Sequence, residues 1–371
     1  MSPDLFSPHV AGELKLRNRV AMAPMTRYRA TADGRATESM AEYYRQRSGA
    51  GLIITEGTEP SPTGKGYPRT PGIYTDAQVQ AWRRVTAAVH DAGGTIVCQV
   101  MHAGRMSHPF TQPGQATPVA PSAVRPAGTI DTPDGERPLV TPRALEPEEI
   151  PAVIADHADA AERAVAAGFD GIELHAANGY LLHQFLADNA NLRTDSYGGS
   201  PANRARFVVE VARACAERIG AGRVGIRISP AGRFNDIAES DPRQTYTALL
   251  AGLAGLNLAY LHTVRRRSLN LDDVVTSLWP GTVIVNTGYG HGSELDDVRP
   301  LLREGVADLV SVGRLFISNP DLVHRWRSNA GRSEWDESTF YTHGDAGYTD
   351  YPAAVAQLLE KPVLEEKGSI R

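Results

Sequence analysis

The sequence predicts an α/β protein built as a (β/α)8 TIM barrel, with an N-terminal hairpin and a long capping excursion after the third strand. Three observations carry that prediction. Short β-rich runs alternate with helical stretches eight times along the chain, the pattern of strands laid parallel with helices packed outside them. The 371 residues fit one decorated barrel, since such barrels run from about 200 to more than 400 residues. The composition, 42% hydrophobic and 22% charged, suits an ordinary globule and excludes wholesale disorder. A doubly wound open sheet is the competing arrangement. On this reading, residues 1–371 form a single domain, with 103–144 as the cap and 335–371 as a C-terminal segment.

The elements follow in order. A turn at Ala11-Gly12-Glu13 suggests the hairpin, and Val20–Pro24 is the first barrel strand. Ser39–Ser48 reads as a helix and Leu52–Thr55 as the second strand. Asp76–Ala92 carries Val79, Trp82, Val85 and Val89 at helical spacing, behind an Asp cap and before Gly93-Gly94. Thr95–Val100 is the third strand. Ala103–Ala144 is rich in Pro, Gly and Thr and too long for an ordinary connection, so it reads as a cap over the barrel mouth, with a small hairpin. Helix Glu146–Ala167, strand Gly171–His175 and helix Asn203–Ile219 come next. Strand five is Val224–Ile228 with helix Gln244–Leu256, and strand six is Leu258–His262 with a short helix over Leu271–Leu278. Strand seven, Val283–Asn286, precedes helix Glu294–Glu304; strand eight, Asp308–Val312, precedes helix Pro320–Ser328. The aromatics of the tail, Phe340, Tyr341, Tyr348 and Tyr351, suit a segment folded back over the barrel.

Composition excludes several function classes. A net charge of −5, from 38 basic and 43 acidic residues, offers no electrostatic footprint for nucleic acid or an anionic membrane. No apolar run approaches the ~20 residues of a membrane span. Met1-Ser2-Pro3-Asp4 lacks the basic and apolar regions of a secretory signal, and Cys98 and Cys215 are too few for a disulfide framework. A cytoplasmic protein, monomer or homodimer, is the expectation.

Gly220-Ala221-Gly222-Arg223-Val224-Gly225 has the spacing of a dinucleotide fingerprint in the wrong place, between a helix and the strand after it. The stronger constellation is His175-Ala176-Ala177-Asn178-Gly179-Tyr180, at the C-terminal end of strand four, where barrel enzymes keep their chemistry. His175 and Asn178 can donate two hydrogen bonds to one substrate oxygen, and Tyr180 can supply a proton. The same stretch also reads as an Asn-Gly turn beside a satisfied core histidine. Alternation turns Arg227 and Gln99 into the barrel, and a buried guanidinium requires an anionic or strongly accepting partner. Met101 shares the parity of Gln99. Thr26 follows strand one. Gly288 and Gly313-Arg314 follow strands seven and eight, where barrels commonly hold phosphate. No lysine lies within the strands, which disfavours a Schiff-base aldolase.

From about Leu5 to Pro352 the chain resembles the old yellow enzyme family of FMN-dependent ene-reductases. The motifs that carry this are Ala23-Pro24-Met25-Thr26-Arg27, Leu52–Gly57, Gln99-Val100-Met101-His102-Ala103-Gly104-Arg105, His175–Leu186, Arg193–Ser200, Asp308–Pro320 and Gly347–Pro352. The resemblance implies FMN held non-covalently at the barrel mouth and NADPH or NADH as reductant. It implies that Thr26 meets the flavin C4 carbonyl, Gln99 the pyrimidine edge and Arg227 the N1/O2 side. Pro24, Met25 and Gly57 would line the ring, and Gly288, Gly313 and Arg314 would hold the phosphate. His175 and Asn178 would bind the activating oxygen of an electron-poor alkene and Tyr180 would protonate it, with Tyr67, Met101 and Tyr341 lining the substrate space.

Four positions distinguish this chain within the family. The turn after strand seven reads Thr287-Gly288-Tyr289-Gly290-His291 instead of Gly-Gly-Tyr-Thr. Met101 stands where many relatives carry tryptophan, and Thr26 places the chain outside the cysteine-bearing branch. Arg265-Arg266-Arg267 stands where relatives are often acidic; it reads as a solvated charge run or as a contact for the 2′-phosphate of NADPH. A flavoprotein of the same fold acting as a redox sensor, or as a specialised biosynthetic reductase or isomerase, is the alternative function.

Overall fold

Eight parallel strands close on themselves in the computed structural model, which describes residues 4–265, 269, 271–288 and 293–354. An antiparallel hairpin, β1 (His9–Ala11) and β2 (Leu14–Leu16), precedes the barrel. Then come β3 (Val20–Met22), α1 (Glu38–Gln46), β4 (Leu52–Ile54), α2 (Asp76–Asp91) and β5 (Ile96–Val100). The excursion holds β6 (Val119–Ala120), β7 (Thr129–Thr132), β8 (Gly135–Pro138) and β9 (Arg143–Ala144). It is followed by α3 (Ile150–Ala166), β10 (Gly171–Ala176), α4 (Leu181–Leu186), α5 (Pro201–Ile219), β11 (Val224–Ile228) and α6 (Pro242–Leu253). The second half ends with β12 (Tyr260–Val264), α7 (Asp272–Leu278), β13 (Thr282–Asn286), α8 (Leu295–Arg303), β14 (Leu309–Val312), α9 (Arg314–Ser318) and α10 (Leu322–Ser328). The barrel order is β10-β11-β12-β13-β14-β3-β4-β5, so β3 and β14 pair and no edge remains.

Local signals explain where helices begin. Ser200 caps α5 through the Asn203 amide with Pro201 in the first turn, and Asp241 caps α6 through Gln244. In α2 the cap is Thr75, one residue before the aspartate that the sequence suggests; its hydroxyl accepts from Gln78 N in a capping box, and Asp76 sits in the first turn.

The core of the barrel itself has two parts. The larger lies between the outer strand faces and the helices and contains both cysteines, Cys98 and Cys215, free and buried. The smaller lies inside the barrel at its N-terminal end, where Ala11, Leu14 and Leu16 of the hairpin meet Leu52, Ile54, Val97, Tyr260 and Leu309. The hairpin is therefore a plug. Its turn requires glycine: Gly12 has φ +58°, and a Cβ there would lie 2.5 Å from the Gly222 carbonyl oxygen. That contact also gives the Gly220–Gly225 string its role, a close approach between the α5–β11 turn and the plug. With the bottom filled by apolar side chains, polar inward residues collect at the other end of the barrel.

Candidate active site

The C-terminal ends of the strands surround a cavity of about 440 Å³. Strand pleating places its floor. Gln99, Glu173, His175, Arg227 and His262 share inward parity on four adjoining strands, and all are at most 4% exposed. Among the described residues no group of metal ligands forms, and no helix is long and apolar enough to cross a membrane.

His175, Asn178 and Tyr180 all line this cavity. The Asn178-Gly179 turn is held from three sides. Asn178, with φ 56°, donates its N–H to Ser229 Oγ at 2.8 Å, Asn235 Nδ2 donates to the Asn178 carbonyl at 2.8 Å, and Gly179 N donates to His183 Nδ1 at 3.1 Å. The Asn-Gly turn that the sequence suggests is present, and it is what places Asn178 at the cavity. Burial, with help from the nearby Arg227 charge, pushes the His175 pKa well down, so the ring is neutral near pH 7. Tyr180 opens α4, and its hydroxyl lies 3.1 Å from that of Tyr67.

The remaining sequence-predicted residues converge on the same space. Pro24, Met25 and Thr26 leave β3 along one wall, Gly57 and Met101 form another, and Gln99 and Arg227 rise from the floor. Gly288, Gly313 and Arg314 line the side after β13 and β14. Tyr67 and Tyr341 close the rim. The part of the turn at 289–292, with Tyr289-Gly290-His291, lies outside the described residues, as do Arg266 and Arg267. Arg265 pairs with Asp272 at 2.7 Å and lines a different cavity of about 180 Å³, so within the described structure it does not reach the mouth.

Several lining residues escaped sequence reasoning. Tyr28, Asp131, Phe234, Asn286, Ser293 and Ile317 also face the cavity, while Phe340 brings the tail over it as its aromatics suggest. Most come from loops and excursions, where no period reports direction. Glu173 and His262 beneath them were findable, because each has the parity of a predicted inward neighbour. The tail is tied to the rim by arginines: Arg27 donates to the carbonyls of Phe340 (3.0 Å) and Gly347 (2.7 Å), while Tyr43 and Tyr348 stack at 4.0 Å.

The donors fit a planar, polar, phosphorylated group. The Nε of Arg227 is buried without a protein partner, a cost that an accepting ring edge would remove. A Cβ on Gly57 would lie 2.6 Å from Met101 Sδ and would need the thioether to shift, so with Gly57 the backbone here presents a flat surface. Backbone at Gly288 and Gly313 together with the Arg314 guanidinium suits a phosphate.

Comparison with known proteins agrees with this chemistry. Residues 4–332 match the model of the NADH:flavin oxidoreductase / NADH oxidase family. The chain is 44% identical to 12-oxophytodienoate reductase 7 of Oryza sativa subsp. japonica, over 94% of each chain. Among solved structures, an old yellow enzyme homologue from Zymomonas mobilis superposes with a TM-score of 0.91 at 41% identity, covering 94% of this chain and 99% of that one. Morphinone reductase in complex with tetrahydroNAD superposes at 0.90 with 44% identity, covering 95% and 98%.

Proposed function

The chain belongs to the NADH:flavin oxidoreductase / NADH oxidase family, that of old yellow enzyme, and as such it is an FMN-dependent, NAD(P)H-linked oxidoreductase of the ene-reductase type. From that premise we propose that it reduces the C=C bond of α,β-unsaturated carbonyl or nitro compounds, with Tyr180 as the proton donor. FMN, when bound, would supply the hydride chemistry that links NAD(P)H to the alkene.

The protein's own residues do the rest. Thr26, Gln99 and Arg227 would hold the polar edge of the flavin, Pro24, Met25 and Gly57 its faces, and Gly288, Gly313 and Arg314 its phosphate. His175 and Asn178 donate to the carbonyl or nitro oxygen, where negative charge grows as the β-carbon is reduced. A neutral imidazole suits that task, since it donates without bringing a mobile charge into the site. Tyr180 delivers its phenolic proton to the α-carbon. Tyr67, Met101 and Tyr341 bound the space the alkene enters.

One observation carries this reading: His175, Asn178 and Tyr180 share a single cavity with Gln99 and an Arg227 whose Nε has no protein partner. Tyr180→Phe tests it. The reduction of the bound cofactor by NAD(P)H is expected to stay near wild type, while cyclohexenone turnover drops by about 10²-fold or more, the usual scale of a lost general acid. Nitroalkenes are expected to suffer less, because a nitronate is stable enough to leave unprotonated. Equal losses in both half-reactions would remove Tyr180 from the proton-donor role.

A further inference from the structure

Beneath the cavity lies a chain of buried hydrogen bonds whose direction can be worked out atom by atom. Asn286 Nδ2 donates to the Ser311 carbonyl at 3.1 Å, and a carbonyl can only accept, so the sense of the Asn286 amide is fixed. The same Nδ2 also donates to Ser311 Oγ at 3.0 Å, which lies 2.8 Å from His262 Nε2. Burial lowers the His262 pKa, so the ring is neutral, and with Nδ1 facing the ionised Glu173 its Nε2 accepts the Ser311 proton. His262 then carries its proton on Nδ1, which donates to Glu173 Oε2 at 2.8 Å. Glu173 Oε1 accepts from Gln99 Nε2 at 2.8 Å. That amide nitrogen also lies 3.4 Å from His175 Nδ1. An amide N–H only donates, so His175 Nδ1 must be bare and its proton sits on Nε2.

Glu173 is the hinge of this arrangement. It is fully buried in the barrel, as are Gln99 and His262. Burial disfavours its charge, but His262, the Arg227 guanidinium and Gln99 outweigh that and hold the carboxyl below its ordinary range. An ionised carboxylate accepts at both oxygens, so Gln99 must turn its NH₂ downward and its Oε1 away. At the far end, Asn286 Oδ1 accepts from Gly288 N at 3.0 Å, so the chain runs beneath the whole site.

We propose that Glu173 is a positioning residue: its carboxylate fixes the sense of the Gln99 amide and, through it, places the proton of His175 on Nε2. The functional consequence rests on the reading that His175 donates to the substrate oxygen; the tautomer itself does not.

Glu173→Gln provides the test, because the replacement has the same shape and only one accepting atom. With Ser311 still donating to His262 Nε2, His262 keeps its Nδ1–H and claims the new amide's oxygen. The new amide's NH₂ then faces Gln99, which must turn over and present Oε1 to it and to His175 Nδ1. The His175 proton is expected to move to Nδ1. Nitrogen NMR of ¹⁵N-histidine-labelled, FMN-loaded enzyme reads this, with the His175 signals assigned by their loss in His175→Asn. Wild type is expected to show His175 protonated on Nε2 and His262 on Nδ1; the variant is expected to show both on Nδ1. Affinity for a phenol is expected to fall about tenfold or more with the lost donor.

A wild-type His175 protonated on Nδ1 overturns the proposal, and so does a His175 still on Nε2 in Glu173→Gln when His262 remains protonated on Nδ1. If that variant does not fold, or if its His262 proton moves to Nε2, Gln99→Leu replaces it: loss of the donor is expected to give a mixture of tautomers, and a His175 still wholly on Nε2 overturns the proposal. A moved proton with unchanged phenol affinity supports the positioning role and removes His175 from the substrate-binding role instead.

Discussion

Met101 and Gly57 occupy one wall of the cavity between them. The thioether fills the volume that a Cβ at position 57 would need, approaching to 2.6 Å, and Met101 itself is 3% exposed. Methionine is unbranched and reshapes around what it touches, so this wall can recede before a large ligand. Met101→Trp replaces it with a broad, rigid ring. Activity on enones with bulky substituents is expected to fall about tenfold further than activity on cyclohexenone, with FMN content unchanged. The enantiomeric ratio of a prochiral enone is expected to shift. A kcat/KM series across substrate size checks this, and a uniform loss would place Met101 outside the substrate space. The pleat made Met101, Gln99 and Arg227 legible in the sequence, since period-two alternation reports direction wherever a strand is certain. It reports the same inward direction for Glu173 and His262, which pair in register with Gln99 and Arg227. Tyr28 had no such signal, because direction in a loop is set by tertiary contacts that no local pattern encodes, and Asp131 sits in the short cap strand β7, whose place over the barrel no local pattern encodes either.

At the scale of elements, the cap packs directly against the cavity's lining. Met106, Ile130 and Leu139 form a small separate core against which Tyr67 and Tyr180 pack, so the β7–β8 hairpin helps to hold the two phenols that meet at 3.1 Å. Tyr28 reaches the same hairpin, donating to Asp131 at 3.4 Å. Ile130→Ala leaves a void in this cluster, and a core truncation of that kind costs about 2–5 kcal/mol when it is felt globally. Here the cluster stands apart from the barrel core, so the loss is expected to stay local. Enone turnover should fall several-fold and protease cleavage near Pro133–Gly135 should accelerate, with the unfolding midpoint of the barrel little changed. An equal loss of thermal stability and activity would show that the cap folds as one unit with the barrel. All eight barrel strands and their large helices were legible, the strands as short apolar runs between turns and the helices by their 3.6-residue period. Helices α4 and α9 were not. Every residue of α4 is buried, so no polar face alternates with an apolar one, and α9 spans 5 residues.

For the whole molecule, four buried titratable groups that lie off the cavity floor shape the dependence of stability on pH. Burial pushes the Glu56 carboxyl up to about 7 and that of Glu59 up to about 8. Each has one oxygen without a partner, Glu56 Oε1 and Glu59 Oε2, as suits a protonated acid better than an anion. Burial acts on His102 and His157 the other way, lowering them to about 3 and about 4. A raised carboxyl pKa means that the native state holds a proton the unfolded chain releases above 4.5. Its stabilisation is therefore complete below 4.5 and lost as pH rises through 7 to 8. A lowered histidine pKa means that the unfolded chain gains a proton below 6.5 that the native state refuses. That stabilisation is complete above 6.5 and lost as pH falls toward 3 to 4. Between about 4.5 and 6.5 the two pairs oppose each other nearly proton for proton, so they leave a plateau with a decline on either side. From pH 6.5 to 8 the two carboxyls together cost on the order of 2 kcal/mol, a fall of a few degrees in the unfolding midpoint. Glu59→Gln removes the group with the higher pKa and keeps its shape. Thermal unfolding of the FMN-loaded variant is expected to lose most of the decline above pH 6.5 and to keep the decline on the acid side, where the histidines act. A variant whose midpoint falls as steeply as that of wild type between pH 6.5 and 8 would show that Glu59 is already ionised in the native barrel.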